Sequence, residues 1–181
     1  DKVLAKGIDK DGNSYELVAN EQEDYNGMKT EVGVIKNNKW LVPLTNEMPF
    51  IGYDNKLIAK KFDYIGKGCF VNTRYSDLSL CTVYNAENGL FFDGDSDKVK
   101  DLEGYRHPGI VSSDIDDYYI IGKDDNQAIY LLNKNTMELK SISIPREING
   151  KSTFIQELSN ISENLFCIAT ATSSPYHRNY Y

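Results

Sequence analysis

The chain is short of the residues from which most enzyme sites are assembled. Among 181 residues there are two histidines, His107 and His177, and three cysteines, Cys69, Cys81 and Cys167. Nucleophilic catalysis needs a base held beside a Ser or Cys by a third group; either histidine could serve, but each reads first as a solvent-facing residue. His107 precedes Pro108, which forces extended or turn backbone, and His177 stands in a polar C-terminal stretch of the kind least often ordered. Neither residue type shows zinc-ligand spacing. No glycine-rich loop leads into a helix, so dinucleotide and phosphate cradles are excluded. Three cysteines do not close a disulfide framework. Each sits in an apolar, strand-like stretch (68–71, 80–83 and 166–169), where it reads as a small buried hydrophobe.

Other absences bound the class. No run approaches the roughly 20 apolar residues that a membrane-spanning helix needs. The 20 Lys and Arg are scattered, and a net charge of −7 opposes a phosphate backbone, so nucleic acid is not an expected partner. No stretch carries a helical period; the nearest, 154–158, is short and ends in the turn-like Ser159-Asn160. With 40% hydrophobic and 26% charged residues the composition is that of one globular domain. The opening Asp1-Lys2-Val3-Leu4 lacks an initiator Met and reads as the start of a cut-out or processed segment.

What the chain has in abundance is strand signal. Thirteen Tyr and seven Phe join β-branched residues in short runs bounded by Gly, Asn and Asp. Strands are expected near 14–19, 31–36, 39–44, 56–59, 68–73, 79–85, 89–92, 118–122, 127–133, 137–144, 152–158 and 164–171. Asp9-Lys10-Asp11-Gly12-Asn13 reads as a hairpin turn with Gly12 supplying positive φ, Asn37-Asn38 as a tight two-residue hairpin, and 133–136 as a four-residue loop. The five prolines, Pro43, Pro49, Pro108, Pro145 and Pro175, are expected at or beyond strand ends.

These turns recur. Val34-Ile35 before Asn37, Val83-Tyr84 before Asn85 and Leu131-Leu132 before Asn133 place an apolar pair ahead of an Asn-led turn at a spacing of 48 residues. A period of this length built from hairpins implies stacked β-sheet units of propeller type. The expected fold is all-β, with antiparallel units over 1–62, 63–114 and 115–160 and an incomplete fourth over 161–181, forming an open array. A β-sandwich or barrel is the alternative.

Gly33-Val34-Ile35-Lys36-Asn37-Asn38-Lys39-Trp40 resembles the repeat segment of bacterial WG-type proteins, with Leu41 where that family has its second-letter Gly, and Asp63-Tyr64-Ile65 resembles their later segment. Residues 128–139, ending Met137-Glu138-Leu139, resemble the blade hairpin of quinoprotein-like propellers, with Met137 in place of their usual Gly. The resemblance implies a bacterial propeller-like repeat protein, often on the cell surface. It implies no activity and carries over no catalytic residue.

The best candidate for a site is Asp93-Gly94-Asp95-Ser96-Asp97-Lys98-Val99-Lys100-Asp101, since alternating carboxylates in a loop can turn their oxygens onto Ca²⁺. Lys98 stands where such a loop needs Gly, so Asp93, Asp95, Asp97 and Asp101 read as a solvated acidic turn and no metal is assigned. Asp9, Asp11, Asp114, Asp116 and Asp117 are weaker versions of the same pattern. No catalytic residue and no cofactor is assigned. The leading expectation is a non-enzymatic module, extracytoplasmic or on the cell surface, that binds protein or glycan through loops such as Arg74-Tyr75-Ser76 and 104–107. The alternatives are a calcium-binding propeller-like domain, a hydrolase with its site on the repeat face involving Asp93, Asp95 or His107, and a structural spacer. Trp40 is expected to be at least partly buried against Val42 and Leu44.

Overall fold

A computed structural model describes residues 1–25, 27–72, 82–93, 103–104, 117–123, 128–143, 145–162, 165–172 and 178–180. Among them there is no helix, and none long and apolar enough to cross a membrane. Sixteen strands form four antiparallel four-stranded sheets, each with its strands in chain order and none closed into a barrel. The first holds β1 (Lys2–Ile8), β2 (Ser14–Asp24), β3 (Gly27–Lys36) and β4 (Lys39–Thr45). The second holds β5 (Phe62–Gly66), β6 (Cys69–Asn72), β7 (Thr82–Asn85) and β8 (Phe91–Asp93). The third holds β9 (Glu103–Gly104), β10 (Tyr118–Lys123), β11 (Ala128–Asn133) and β12 (Leu139–Ser143). The fourth holds β13 (Glu147–Ile148), β14 (Lys151–Ser162), β15 (Leu165–Thr172) and β16 (Arg178–Tyr180).

The first three sheets lie face to face, and the alternation of side chains along a strand explains how. Every residue of β6 and β7 is buried. Phe62, Tyr64, Phe70 and Tyr84 point to one side of the second sheet, where they meet Tyr15, Leu17, Ala19, Val32 and Val34 of the first. Ile65, Cys69, Val71, Val83 and Phe92 point to the other side and meet Leu132, Tyr119, Tyr130 and Leu139 of the third. A sheet covered on both faces needs runs of apolar residues rather than strict alternation, as Cys69-Phe70-Val71 supplies. The aromatic rings set the spacing between the first two sheets: Tyr15 stacks on Tyr64 at 5.5 Å, and Phe50 meets Phe62 edge-on at 5.2 Å.

Asn37, Asn85 and Asn133 each stand at the turn from third to fourth strand of a separate sheet. Asn37 (φ 49°) and Asn38 (φ 62°) make a two-residue turn with positive φ at both positions, closed by the Lys36–Lys39 pair. The other two turns are four residues long and alike. Asn85 N–H donates to Leu90 at 2.9 Å and Asn133 N–H to Glu138 at 2.9 Å, and the left-handed residues are Gly89 (φ 76°) and Met137 (φ 58°). The side-chain oxygens of Asn85 and Asn133 accept from backbone N–H groups within their own turns, which fixes the Asn-led geometry. One backbone bond repeats in all three sheets: Asn37 N–H to Ser14 (3.0 Å), Ala86 N–H to Gly68 (3.0 Å) and Lys134 N–H to Asp117 (2.8 Å).

Two expectations differ from the structure. Residues 56–59 form no strand; Leu57 makes only an isolated bridge to Ile51, because the connector from 46 to 61 turns at Asn55 (φ 55°) and lays Ile51, Leu57 and Ile58 on the core. Pro43 lies inside β4 rather than at its end. That strand is the edge of its sheet, and its register is irregular between Val42 and Thr45, so the missing N–H breaks no regular ladder. Trp40, expected to be at least partly buried, is 47% exposed and so about half-buried, although it lies outside the core cluster. Its ring covers Gly33, where a Cβ would come within 2.8 Å of the indole Cζ3.

Candidate functional site

The polar side chains that converge do so where the Asn-led turns meet their neighbouring sheets. Glu87, in the turn after β7, accepts hydrogen bonds from the Tyr15 hydroxyl and from Lys36 Nζ, both at 2.7 Å. Lys36 Nζ also stands 5.2 Å from the centre of the Tyr15 ring. Partial burial acts to raise the Glu87 pKa, but the bonds from Lys36 and Tyr15 outweigh it and hold the carboxyl below the ordinary Glu range. Burial, reinforced by the bond to Glu87, pushes the Tyr15 phenol up to about 12. The bond to Glu87 and then that to Tyr15 raise Lys36. All three shifts favour the protonation states seen at neutral pH, so the cluster is an ion-paired clamp between the first two sheets with no poised acid or base.

A second link joins the second sheet to the third. Lys134 is fully buried, and its Nζ donates to the backbone oxygen of Ile65. Its own backbone oxygen accepts from Asn85 Nδ2 at 2.9 Å, and Asn88 Nδ2 donates to the Asn135 oxygen at 2.8 Å. Lys67 pairs with Asp117 at 2.6 Å across the same two sheets.

Of the acidic, histidine and cysteine candidates read from the sequence, Asp9, Asp11, Asp93, Asp117, Cys69 and Cys167 fall among the described residues. Asp93 is exposed at the end of β8. Asp95, Asp97, Asp101, Asp114, Asp116, His107, His177, Cys81 and the 74–76 loop lie outside the described residues, as do 105–107 of the 104–107 loop. Asp117 is engaged by Lys67. Asp9 is the hub of its own turn: Oδ1 accepts from the N–H groups of Asp11 (3.0 Å) and Asn13 (2.7 Å), and Oδ2 from Asn13 Nδ2 (2.8 Å). Burial works against ionisation of Asp9, yet these donors together hold its pKa below the usual value. Cys167 lies in β15. Cys69 is a free, fully buried thiol whose pKa burial pushes up to about 12, far from the thiolate character a nucleophile needs. Among the described residues no group of three His, Cys, Asp or Glu is placed to hold a metal ion.

Sequence reasoning missed the clamp. Lys36 directly precedes Asn37, and Glu87 follows Asn85 by two, so the equal spacing of the turns was the available signal that they meet at one end of the stack.

Exposed aromatics are the remaining surface feature. Tyr25, in the turn from β2 to β3, and Tyr53, in the connector after β4, are fully exposed; Trp40 on β4 and Phe91 on β8 are half-exposed. The chain matches no family model, no curated protein and no solved structure.

Proposed function

We propose that the chain is a non-enzymatic β-repeat module of propeller-like design, from a bacterial surface or secreted protein, that binds protein or glycan through its exposed loops. The repeat part of the reading is supported by the backbone bond that recurs as Asn37 to Ser14, Ala86 to Gly68 and Lys134 to Asp117. It is supported also by the second sheet, which is covered on both faces by its neighbours. Stacked sheets of this kind provide a rigid base from which loops project, a common arrangement for recognition.

The observation that carries the binding part is the full exposure of Tyr25 and Tyr53. Both stand in segments that leave the first sheet at the end opposite Asn37-Asn38, since Thr45 pairs with Val32 and the β2–β3 hairpin runs on to Tyr25. Tyr offers a large amphipathic contact surface at low entropic cost and is enriched at binding hot spots. The test is an array of glycans and extracellular proteins probed with the intact chain and with the Tyr25→Ala, Tyr53→Ala double variant. Retention of at least one ligand, weakened about tenfold or more in the double variant, is expected. Equal retention by the variant, or chemical turnover of an arrayed ligand, would overturn the reading.

A further inference from the structure

We propose that Asn149 is a site of spontaneous covalent modification, at which the backbone nitrogen of Gly150 attacks the Asn149 side chain and converts it to aspartate and isoaspartate. The inference is independent of the binding reading above and uses none of its residues.

The reaction needs three things at once. The asparagine amide must be unheld, the next backbone nitrogen must have no bond of its own, and the backbone must open enough to bring the two into a five-membered ring. Asn149-Gly150 is the exposed two-residue turn between β13 and β14, left-handed at both positions (φ 52° and 73°). Among the described residues neither the Asn149 side chain nor the Gly150 N–H makes a hydrogen bond. The space at Gly150 is open, since the nearest atom to an added Cβ would be Glu147 Oε1 at 4.0 Å. β13 is an edge strand of two residues, paired with β14 at Glu147–Ser152 and Ile148–Lys151. A ladder this short opens locally at little cost.

Similar turns elsewhere in the chain are locked. Asn88, also followed by glycine, accepts at Oδ1 from the Leu90 N–H (2.9 Å) and donates from Nδ2 to the Asn135 oxygen (2.8 Å). The Gly89 nitrogen that would attack it donates to the Asn85 oxygen at 2.8 Å. In Asp11-Gly12 the glycine N–H donates to the Asp9 oxygen at 3.0 Å. Asn37-Asn38 has the same left-handed pair as Asn149-Gly150. There Asn37 Oδ1 accepts from the Ser14 N–H (2.9 Å), Nδ2 donates to Asn13 (2.8 Å), and the next residue carries a side chain. Asn26, before Gly27, lies outside the described residues.

The chemistry balances with water alone. The Gly150 nitrogen loses its proton and bonds to Asn149 Cγ, the Cγ–Nδ2 bond breaks, and the amide leaves as ammonia with that proton. Water then opens the cyclic imide. Attack at Cγ gives aspartate, and attack at the main-chain carbonyl gives isoaspartate, whose backbone runs through Cγ. Isoaspartate adds a carbon to a turn whose length sets the register of its hairpin. Ile148 and Lys151 then no longer pair, and β13 leaves the fourth sheet.

The experiment holds the full chain at neutral and at mildly alkaline pH, in buffer and in concentrated urea. Digested peptides are followed by mass, and isoaspartate is counted by methyl transfer from S-adenosylmethionine with an isoaspartyl methyltransferase. In buffer Asn149 should convert about tenfold or more faster than Asn88, whereas in urea the two should convert at similar rates. Both rates should rise with pH, because the attacking nitrogen must lose its proton. Asn149→Gln keeps the amide but needs a six-membered ring, so it should abolish methyl incorporation into that peptide without changing the far-ultraviolet circular dichroism. Equal rates at Asn88 and Asn149 in buffer would overturn the proposal. So would an Asn149 that converts in urea and not in the folded chain, or methyl incorporation that Asn149→Gln leaves unchanged.

Discussion

The backbone of Gly7 in β1 lies directly against the ring of Tyr64 in β5, so close that a Cβ added at Gly7 would fall 1.9 Å from the ring's Cδ1. Tyr64 has little room to yield. It stacks on Tyr15, meets Phe70 edge-on at 5.4 Å, and its hydroxyl accepts from the Gly68 N–H at 3.3 Å. The first strands of two successive sheets therefore meet through a residue that has no side chain.

Gly7→Ala should destabilise the chain by about 2–3 kcal/mol, the range for overpacking a well-filled core. The gentler comparison is Gly89→Ala, where nothing among the described residues lies within 4 Å and the positive φ is at stake; its cost should be about 1 kcal/mol. Chemical denaturation of the two variants should rank Gly7→Ala as the more damaging. The reverse order would mean that Tyr64 moves freely.

Gly7 also marks the limit of what the sequence discloses. The all-β class and the Asn-led turns at 37, 85 and 133 were legible because turn chemistry is local, and left-handed Asn and Gly residues announce themselves. The first strand of every sheet, β1, β5, β9 and β13, was not. Lys2-Val3-Leu4-Ala5-Lys6-Gly7-Ile8 carries two lysines, an alanine and a glycine, and β9 and β13 are two residues each. β1 is specified by close packing against a neighbouring sheet, as Gly7 is by Tyr64, and not by intrinsic preference. The Tyr15–Lys36–Glu87 clamp joins residues 72 and 51 apart in the chain, and no local pattern encodes that meeting.

Asn85 ties the second sheet's turn to the third sheet. Its buried Nδ2 donates to the Lys134 oxygen, and its Oδ1 accepts from the Glu87 N–H at 2.9 Å. Asn85→Ala should cost about 2 kcal/mol, because a buried carbonyl loses its donor and the turn loses its internal bond. Asn88→Ala also removes two bonds, one to the Asn135 oxygen and one from the Leu90 N–H, but both are exposed to water, and it should cost less than about 1 kcal/mol. Equal effects in thermal unfolding would show that burial is not what gives Asn85 its weight.

Thr30 offers a stabilising substitution. The residue is 1% exposed, and its hydroxyl has no hydrogen-bond partner among the described residues. A buried hydroxyl without a partner costs more than a methyl in the same place, so Thr30→Val, which keeps the β-branched shape, should raise the unfolding free energy by about 1 kcal/mol. A loss of stability on this change would argue against a dry, unpaired environment.

The clamp between the first two sheets sets a pH window. Glu87 has a depressed pKa in the folded chain, so its contribution is present above the unfolded Glu value and is lost as pH falls through the folded one. Tyr15 is shifted the other way, from 10.0 to about 12, so its contribution is whole below pH 10 and is lost as pH rises toward 12. Glu87 reaches solvent, and after allowance for screening the Tyr15 link should account for about 1–2 kcal/mol of alkaline destabilisation. Tyr15→Phe removes the titrating group and keeps the ring that stacks on Tyr64. It should lower stability at neutral pH by about 1 kcal/mol, through loss of the bond to Glu87, and should flatten the decline between pH 10 and 12. Unfolding free energies measured by urea titration at pH 7, 9, 10 and 11 distinguish the cases. If the variant and the parent chain decline in parallel above pH 10, the phenol of Tyr15 is not the group that ties alkaline stability to the joint between the sheets.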